Sequence, residues 1–509
     1  NNLKLKSQFD TKNVLDMERI FNNNHEMTSL DTTKFDTSKV ENMAYMFNNC
    51  EKLSNLGSST FNTNAKNMEY MFNNCNEITS ITISNFDSTE LTNMAHMFDS
   101  CNKLDKVYLS GLNTRNVLNM EYTFNNCNSI TSLDLSNFDT SSVKTMKSMF
   151  NDCSKLNLKS QFDTKNVEDM EKMFNNCKEI ISLDTSNFDT SKVTNMAYMF
   201  NNCYKMKLQG PSTFNTNADN MEYMFNNCNE ITSLTISNLD TSRLTNMAYM
   251  FNNCAKLDQL YLSGLNTEFV ENMKYTFNNC SSITSLDLSN FDTSLVTTMC
   301  SMFNGCQNLN LKSQFDTRNV ENMEKMFKDC NKMTSLDTSK FNTAKVTTMS
   351  SMFNNCNSLQ SLDLSNFVTS LVSKMDYMFN NCNSITSLDV SHFDTALITD
   401  MAYMFNNCQK LSSLDISHFN TEKLTTMEKM FSNCNSLTSL DFSHFDTSEV
   451  TNMDSVFYSC SKISSLDLSN FITTKVNNMN SMFNSCGSLT SLDLSSFETS
   501  LITNMAYNR

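Results

Sequence analysis

The string Met-Phe-Asn-Asn-Cys, or a close variant of it, returns every 26 residues with occasional steps of 25 or 24, from Phe21 through Phe47, Phe72 and Phe98 to Phe483. A unit this short cannot bury a core by itself, so its inward face has to be covered by the next copy, and the chain is constrained to a stack. Nineteen such Phe markers run through the 509 residues with no linker or shift of composition between them. The expected organisation is one continuous array over residues 1–509.

A longer period lies above the short one. From Phe21 the steps run 26, 25, 26, 26, 26, 24, and from Phe174 they run the same way, which marks a six-repeat block of 153 residues at about 1–153 and 154–306. A third, partial copy begins at 307; within the first two, Tyr108 recurs as Tyr261 and Gly111 as Gly264. Block duplication of this kind suits a chain whose surface or length matters more than a single pocket.

In the repeat from Cys127 to Asp152, Ile130, Leu133, Leu135 and Phe138 follow the pattern L-x-x-L-x-L-x-x-F. Alternation around Leu133 and Leu135 predicts a short strand with Asp134 and Ser136 outward. Asp139-Thr140-Ser141 then offers N-cap chemistry, and the spacing of Val143, Met146, Phe150 and Cys153 predicts a short helix or helical turn. Asn-Asn tolerates the left-handed conformation that ends a helix, which lets the chain turn with only 6 Gly. The expected fold class is an α/β repeat: a solenoid of about 19 turns of 24–26 residues, each a short parallel strand plus a short helix or helical turn.

These residues, and the version F-D-T-S-x-V-x-x-M-x-x-M-F-x-x-C, resemble the leucine-rich repeats of BspA-like surface proteins, in the variant abundant in mycoplasma surface lipoproteins. The resemblance implies a leucine-rich-repeat solenoid at the cell surface or outside the cell, associated with adhesion and with host or partner contact. The chain shows none of the signal peptide, lipid-attachment cysteine or anchoring segment that such a protein would carry.

Composition narrows the function classes. A net charge of −16, from 38 Lys+Arg against 54 Asp+Glu, disfavours nucleic acid as a partner, because that contact is built on neutralising phosphates. No stretch approaches the ~18 apolar residues of a membrane helix, and the 39% hydrophobic content is too high for a disordered polar chain. There is no G-x-S-x-G, P-loop or H-E-x-x-H, and every Ser, Asp or Cys that might act as a nucleophile is one of a stacked series. No catalytic residue and no enzymatic activity are expected.

The stacked columns are the candidate chemistry. Asp337, Asp363, Asp389, Asp415, Asp441, Asp467 and Asp493 recur every 26 residues at the outward position after the strand Leu. Unit charges about 5 Å apart repel by roughly 1 kcal/mol even in a water-like dielectric. Relief comes either from flanking Ser and Thr hydroxyls and solvent, or from Ca²⁺ or a basic partner. This outward face is the nominated binding surface, with Ca²⁺ the one candidate cofactor and no metal site assigned. His392, His418 and His444 stack in the same way, as drifted loop positions or as a short metal-binding or pH-responsive ladder. The Cys column is expected to be buried, with disulfides between neighbouring turns as the alternative, and Cys300 to be a surface thiol.

Both ends of the chain fall inside repeats. Terminal caps are absent, so Leu3 and Leu5 at one end and Leu494, Phe497 and Met505 at the other are expected to be uncovered. That implies a segment of a longer protein or a unit that self-associates end to end. The leading expectation is a non-enzymatic extracellular or cell-surface protein mediating adhesion or contact with a protein or host-surface ligand through its outward strand face. The alternative is a structural repeat protein assembling end to end into a fibre or surface coat.

Overall fold

A computed structural model describes residues 10–57, 61, 64–83, 89–109, 111–158, 161–209, 214, 217–236, 243–262, 264–311, 314–502, 505 and 506. The terminal residues Asn1, Leu3 and Leu5 lie outside the described residues. The chain divides into two compact units, Asn1–Leu244 with Tyr249–Leu265, and Thr245–Ala248 with Asn266–Arg509. Each unit is a parallel β-solenoid.

In the first unit, strands of two or three residues pair in parallel with the strand one turn later: Ser80–Thr82 with Lys106–Tyr108, Ser132–Leu133 with Asn157–Leu158, Ser182–Asp184 with Lys207–Gln209, and Ser233–Thr235 with Gln259–Tyr261. The second unit repeats this with Ser285–Leu286 and Asn310–Leu311, Ser387–Leu388 and Ser413–Leu414, and Ser465–Leu466 and Ser491–Leu492. The register puts like on like, for example Leu388 beside Leu414. Alternation works as expected: Leu133 and Leu135 are buried while Asp134 and Ser136 are exposed.

A second seam is made of single-residue parallel bridges. Asn42, Asn67, Asn93, Asn119 and Thr145 pair in succession in the first unit, and Asn272, Thr298, Asn322 and Thr348 in the second. Short polar side chains suit this position because they also cap a local turn: Asn67 Oδ1 accepts from the Glu69 N–H at 2.9 Å.

The helix predicted for the Met-Phe-Asn-Asn-Cys segment does not form; among the described residues there is no α-helix. In the turn from Met43 to Cys50, the N–H groups of Tyr45, Phe47 and Asn49 donate to carbonyls of Glu69, Met71 and Asn73 one turn later, at 2.8 Å each. The amides between them close four-residue turns instead, Met46 to Met43, Asn48 to Tyr45 and Cys50 to Phe47. Tyr45 and Asn49, third residues of the first and last of these turns, have φ of 57° and 58°. Fused turns return an inward residue every three or four positions, as a helix does, so the apolar spacing alone does not separate the two. What decides is the hydrogen bonding: half of the amides are spent on the neighbouring turn.

The count of nineteen strand-bearing turns is likewise corrected. Fourteen short strands form among the described residues, and the ladder supports a parallel β-solenoid of about 15 turns. At 359–364 and 437–442 no strand forms. Isolated bonds survive there, such as Gln360 N–H to Thr334 O at 3.1 Å, too few to make a ladder.

The core is a set of columns. Phe47, Phe72, Phe98, Phe124, Phe150, Phe174, Phe200 and Phe225 are all 0% exposed and stack face to face at 5.3–5.7 Å between centroids. Beside them the two Asn of each turn form amide ladders: Asn201 Nδ2 donates to Asn175 Oδ1 at 2.7 Å and receives Asn226 Nδ2 at 2.6 Å, and Asn202 bonds Asn176 in the parallel column at 2.7 Å. The predicted N-cap residues act differently from expectation. Asp139 Oδ1 closes a local turn by accepting from the Ser141 N–H at 3.0 Å, while buried Thr140 donates to the Asp163 carbonyl of the next turn at 2.9 Å.

Candidate functional site

All seven predicted Asp residues are exposed and lie in the second unit. In-register pairing of Ser387–Leu388 with Ser413–Leu414 sets Asp389 beside Asp415, and Ser465–Leu466 with Ser491–Leu492 sets Asp467 beside Asp493. The column sits one residue past these strands, at the edge of the strand face, where each Asp opens a turn. Oδ1 accepts from the N–H two residues on: Ser339, Ser365, Ser391, Ser417, Ser443, Ser469 and Ser495, at 2.9–3.1 Å. The Ser391 and Ser417 hydroxyls also donate to Asp389 and Asp415 at 2.7 Å.

These bonds answer the repulsion expected within the column. Bonds from the Ser339 hydroxyl, the Gln314 amide and the Ser339 backbone hold the Asp337 carboxyl down to about 2. Ser391 and Ser417 lower Asp389 and Asp415 through their hydroxyl and amide donors, with His392 and His418 adding attraction. Neighbouring carboxylates oppose this weakly, Asp389 raising Asp363 and Asp415 raising Asp441. Gln314 Nε2 occupies Oδ2 of Asp337 at 2.6 Å. At the other six residues the backbone bond is to Oδ1, and the residue is exposed. The face therefore presents a row of exposed carboxylates, each tied to its own turn.

The Ca²⁺ candidate finds no cage: among the described residues no group of three or more His, Cys, Asp or Glu side chains could hold a metal ion. The three His do not converge either. His392 Nε2 bonds the Leu364 carbonyl at 2.9 Å, and His418 and His444 bond the adjacent Ser417 and Ser443 hydroxyls at 3.0 Å. His418 and His444 line a shallow recess of about 410 Å³ with Phe419, Glu422 and Asp446.

The thiols belong to the core. All nineteen Cys are free, and Cys300, expected at the surface, is buried at 8% exposure with its Sγ 3.8 Å from the Ser301 hydroxyl. Column thiols donate to a Phe carbonyl of the preceding turn, as Cys203 does to Phe174 at 3.1 Å.

One surface escapes a reading of the sequence that looks only at core and strand. The third residue of the first fused turn is aromatic at Tyr45, Tyr70, His96 and Tyr122, whose rings stack at 4.7, 4.2 and 4.5 Å. Tyr198, Tyr223 and Tyr249 stack at 4.7 and 4.4 Å, and Tyr377 on Tyr403 at 4.4 Å. The signal was present, since Tyr45 and Tyr70 recur 153 residues on as Tyr198 and Tyr223 in the same slot before Met-Phe.

No curated protein matches the chain. Among solved structures it is similar to a leucine-rich-repeat protein of Bacteroides ovatus, at 18% identity over 74% of this chain and 82% of that one with a TM-score of 0.32. It is also similar to a leucine-rich cell surface protein of Faecalibacterium prausnitzii, at 14% identity over 69% and 76% with a TM-score of 0.27. An internalin of Listeria monocytogenes gives 12% identity over 73% and 89% with a TM-score of 0.22. Among the described residues no helix is long and apolar enough to cross a membrane. The family model described as mycoplasma protein of unknown function, DUF285, matches overlapping stretches from residues 2–80 and 66–182 through to 359–463 and 436–508. The mycoplasma side of the resemblance is thereby shown, and the chain belongs to this DUF285 family.

Proposed function

We propose that the chain is a non-enzymatic repeat protein of the cell surface or extracellular space that makes protein–protein contacts in adhesion, as BspA-like proteins do, through the edge carrying the Asp column. The array over residues 1–509 supplies area and the duplicated 153-residue block multiplies it. The observation that carries the reading is the row of exposed carboxylates at Asp363, Asp389, Asp415, Asp441, Asp467 and Asp493, each held by an Oδ1 bond to its own turn. Carboxylates fixed in this way lose little side-chain entropy on meeting donors of a partner.

The test is binding of beads coated with the protein to host-type cells and to a panel of extracellular proteins, with a variant carrying Asp→Asn at all seven positions. Asn keeps the turn, as Asn67 shows, and removes the charge. Retention by wild type and loss by the variant is the expected result; equal retention would sink the assignment of the column. Filaments that lengthen with protein concentration in electron micrographs would instead favour end-to-end assembly into a fibre or coat.

A further inference from the structure

The aromatic column is expensive to keep. Tyr45, Tyr70 and Tyr122 have φ of 57°, 55° and 55°, and His96 has 54°. A bulky residue in the left-handed region is an outlier that a Gly or Asn would relieve, so backbone geometry does not account for the aromatics. Their rings are half-buried and stacked, so faces are covered and the ring edges and hydroxyls are what solvent meets.

Where the same slot holds a cation, the chain shows what chemistry the site takes. Lys429 Nζ donates to the Tyr403 hydroxyl at 2.9 Å, lies 5.0 Å from the Tyr403 ring centre, and has Glu428 Oε1 at 3.6 Å and Asp454 Oδ2 at 4.0 Å. Lys172 in the first unit lies 2.8 Å from Glu171 Oε1 and 5.5 Å from the Tyr198 ring centre, and Arg19 sits 3.2 Å from Glu18 and 4.8 Å from the Tyr45 ring centre. Each is a cation shared between a carboxylate on its own turn and a tyrosine of the neighbouring turn.

At Tyr70 and Tyr122 the carboxylate is retained and no Lys or Arg stands in the stacked slot on either side; Lys147, on the turn after Tyr122, is drawn away to Glu171 at 2.9 Å. Glu69 and Glu121 precede these tyrosines as Glu428 precedes Lys429, both are half-exposed, and neither has an ion-pair partner among the described residues. Between them His96 is engaged with Asp99 at 2.7 Å. We propose that the edge formed by Glu69, Tyr70, His96, Glu121 and Tyr122 is a second contact site, which takes a lysine or arginine side chain from an extended segment of a partner protein, seated as Lys429 seats itself on Tyr403 and Glu428. The site deepens the reading of the chain as a protein-contact solenoid and lies in the other unit from the Asp column.

The test uses the full chain and a fluorescein-labelled hexalysine peptide followed by fluorescence anisotropy. Tyr70→Lys with Tyr122→Lys lets the chain fill its own site, and the fold accepts Lys in this slot at Lys172, Lys325 and Lys429 with φ of 56°, 57° and 51°. Glu69→Gln with Glu121→Gln removes the carboxylates and keeps the rings. Asp389→Lys changes the net charge by the same amount on the Asp column, and circular dichroism confirms that all three variants fold. The expected result is binding by wild type, weakening of about tenfold or more in both paired variants, and a change within about twofold for Asp389→Lys. No binding by wild type, or paired variants within about twofold of it, overturns the site. Equal weakening by all three variants overturns it too, because the peptide would then be following net charge; loss in Asp389→Lys alone supports the Asp column and overturns this site.

Discussion

The Cys228 thiol donates to the carbonyl of Phe200, 3.1 Å away on the preceding turn, and is 0% exposed. Burial is the first cause that pushes the column thiols up, to about 12 at Cys153, Cys254, Cys306 and Cys408. An unfolded thiol loses its proton near pH ~8.5. Between these values the unfolded chain binds fewer protons than the folded one, so stability is full below about pH 8.5 and falls as pH rises, by about 1.4 kcal/mol per pH unit for each such thiol. The thermal midpoint should therefore drop steeply between pH 8 and 10.5. A flat profile would show that the thiols are not held neutral by burial.

The same burial governs reactivity. Cys486 is half-buried while the other cysteines are buried, Cys300 the most exposed of them at 8%. Iodoacetamide at pH 8 followed by intact-mass measurement should give a single early adduct at Cys486 on the folded chain, and 19 adducts after urea. Rapid labelling of several sites on the folded chain would contradict the packing of the column.

At low pH the Asp column works in the opposite sense. Its carboxyls are lowered in the folded chain, to about 2 at Asp337, chiefly by Ser and Gln donors. Their contribution is present above the ordinary carboxyl value of about 4 and is lost as pH falls toward the folded value. The variant with Asn at all seven positions keeps the turns and removes this titration. Its thermal midpoint should fall less than that of wild type between pH 5 and 2.5, and equal falls would show that the column carries none of the acid sensitivity.

Much of this was legible in the repeat. Ile130, Leu133, Leu135, Phe138, Val143, Met146, Phe150 and Cys153 are all buried as the pattern predicted, and Asn49 takes the left-handed turn that Asn tolerates. The strand was readable because alternation at Leu133 and Leu135 has period two. The helix was misread because Met43, Met46, Phe47 and Cys50 face inward in fused turns as they would in a helix, and a hydrogen bond from Tyr45 to Glu69 is invisible to spacing within one repeat. Tyr45 at φ 57° runs against residue preference, so no propensity argument would have found the aromatic column. The outward Asp column was legible as a row of like charges, and of the two forms of relief expected for it the structure shows the flanking serines.

The amide ladder makes a directional prediction. Asn201 is 8% exposed and both accepts from Asn226 and donates to Asn175. Asn201→Ala strands one donor and one acceptor at about 1–3 kcal/mol each, so a loss of about 2–6 kcal/mol is expected in urea unfolding. Asn201→Asp keeps the acceptor for Asn226 but sets a buried carboxylate oxygen against Asn175 Oδ1, without the His96 partner that Asp99 has at 2.7 Å, and should cost at least as much. A near-zero cost for the isosteric Asp beside a large cost for Ala would mean that side-chain volume, and not the ladder, is what the position supplies.

Phe225 tests whether the stack is held turn by turn. It is 0% exposed, lies between Phe200 at 5.3 Å and Phe251 at 5.9 Å, and meets Phe214 edge-on at 5.5 Å. Phe225→Ala removes the ring from a site walled on both sides by other rings, which leaves little room for collapse, and about 3–5 kcal/mol should be lost. Phe225→Leu retains most of the volume and should cost about 1–2 kcal/mol. In a stack, stability is carried by nearest-neighbour interfaces, so the damage should stay local. Hydrogen exchange should accelerate most at the amides of Phe200 and Phe225, which donate to Met224 and Met250 across the affected turns, and little at Phe47, whose amide bonds Met71 far along the same unit. Uniform acceleration along the unit would show instead that it unfolds as one block, with the Phe column coupling all of its turns.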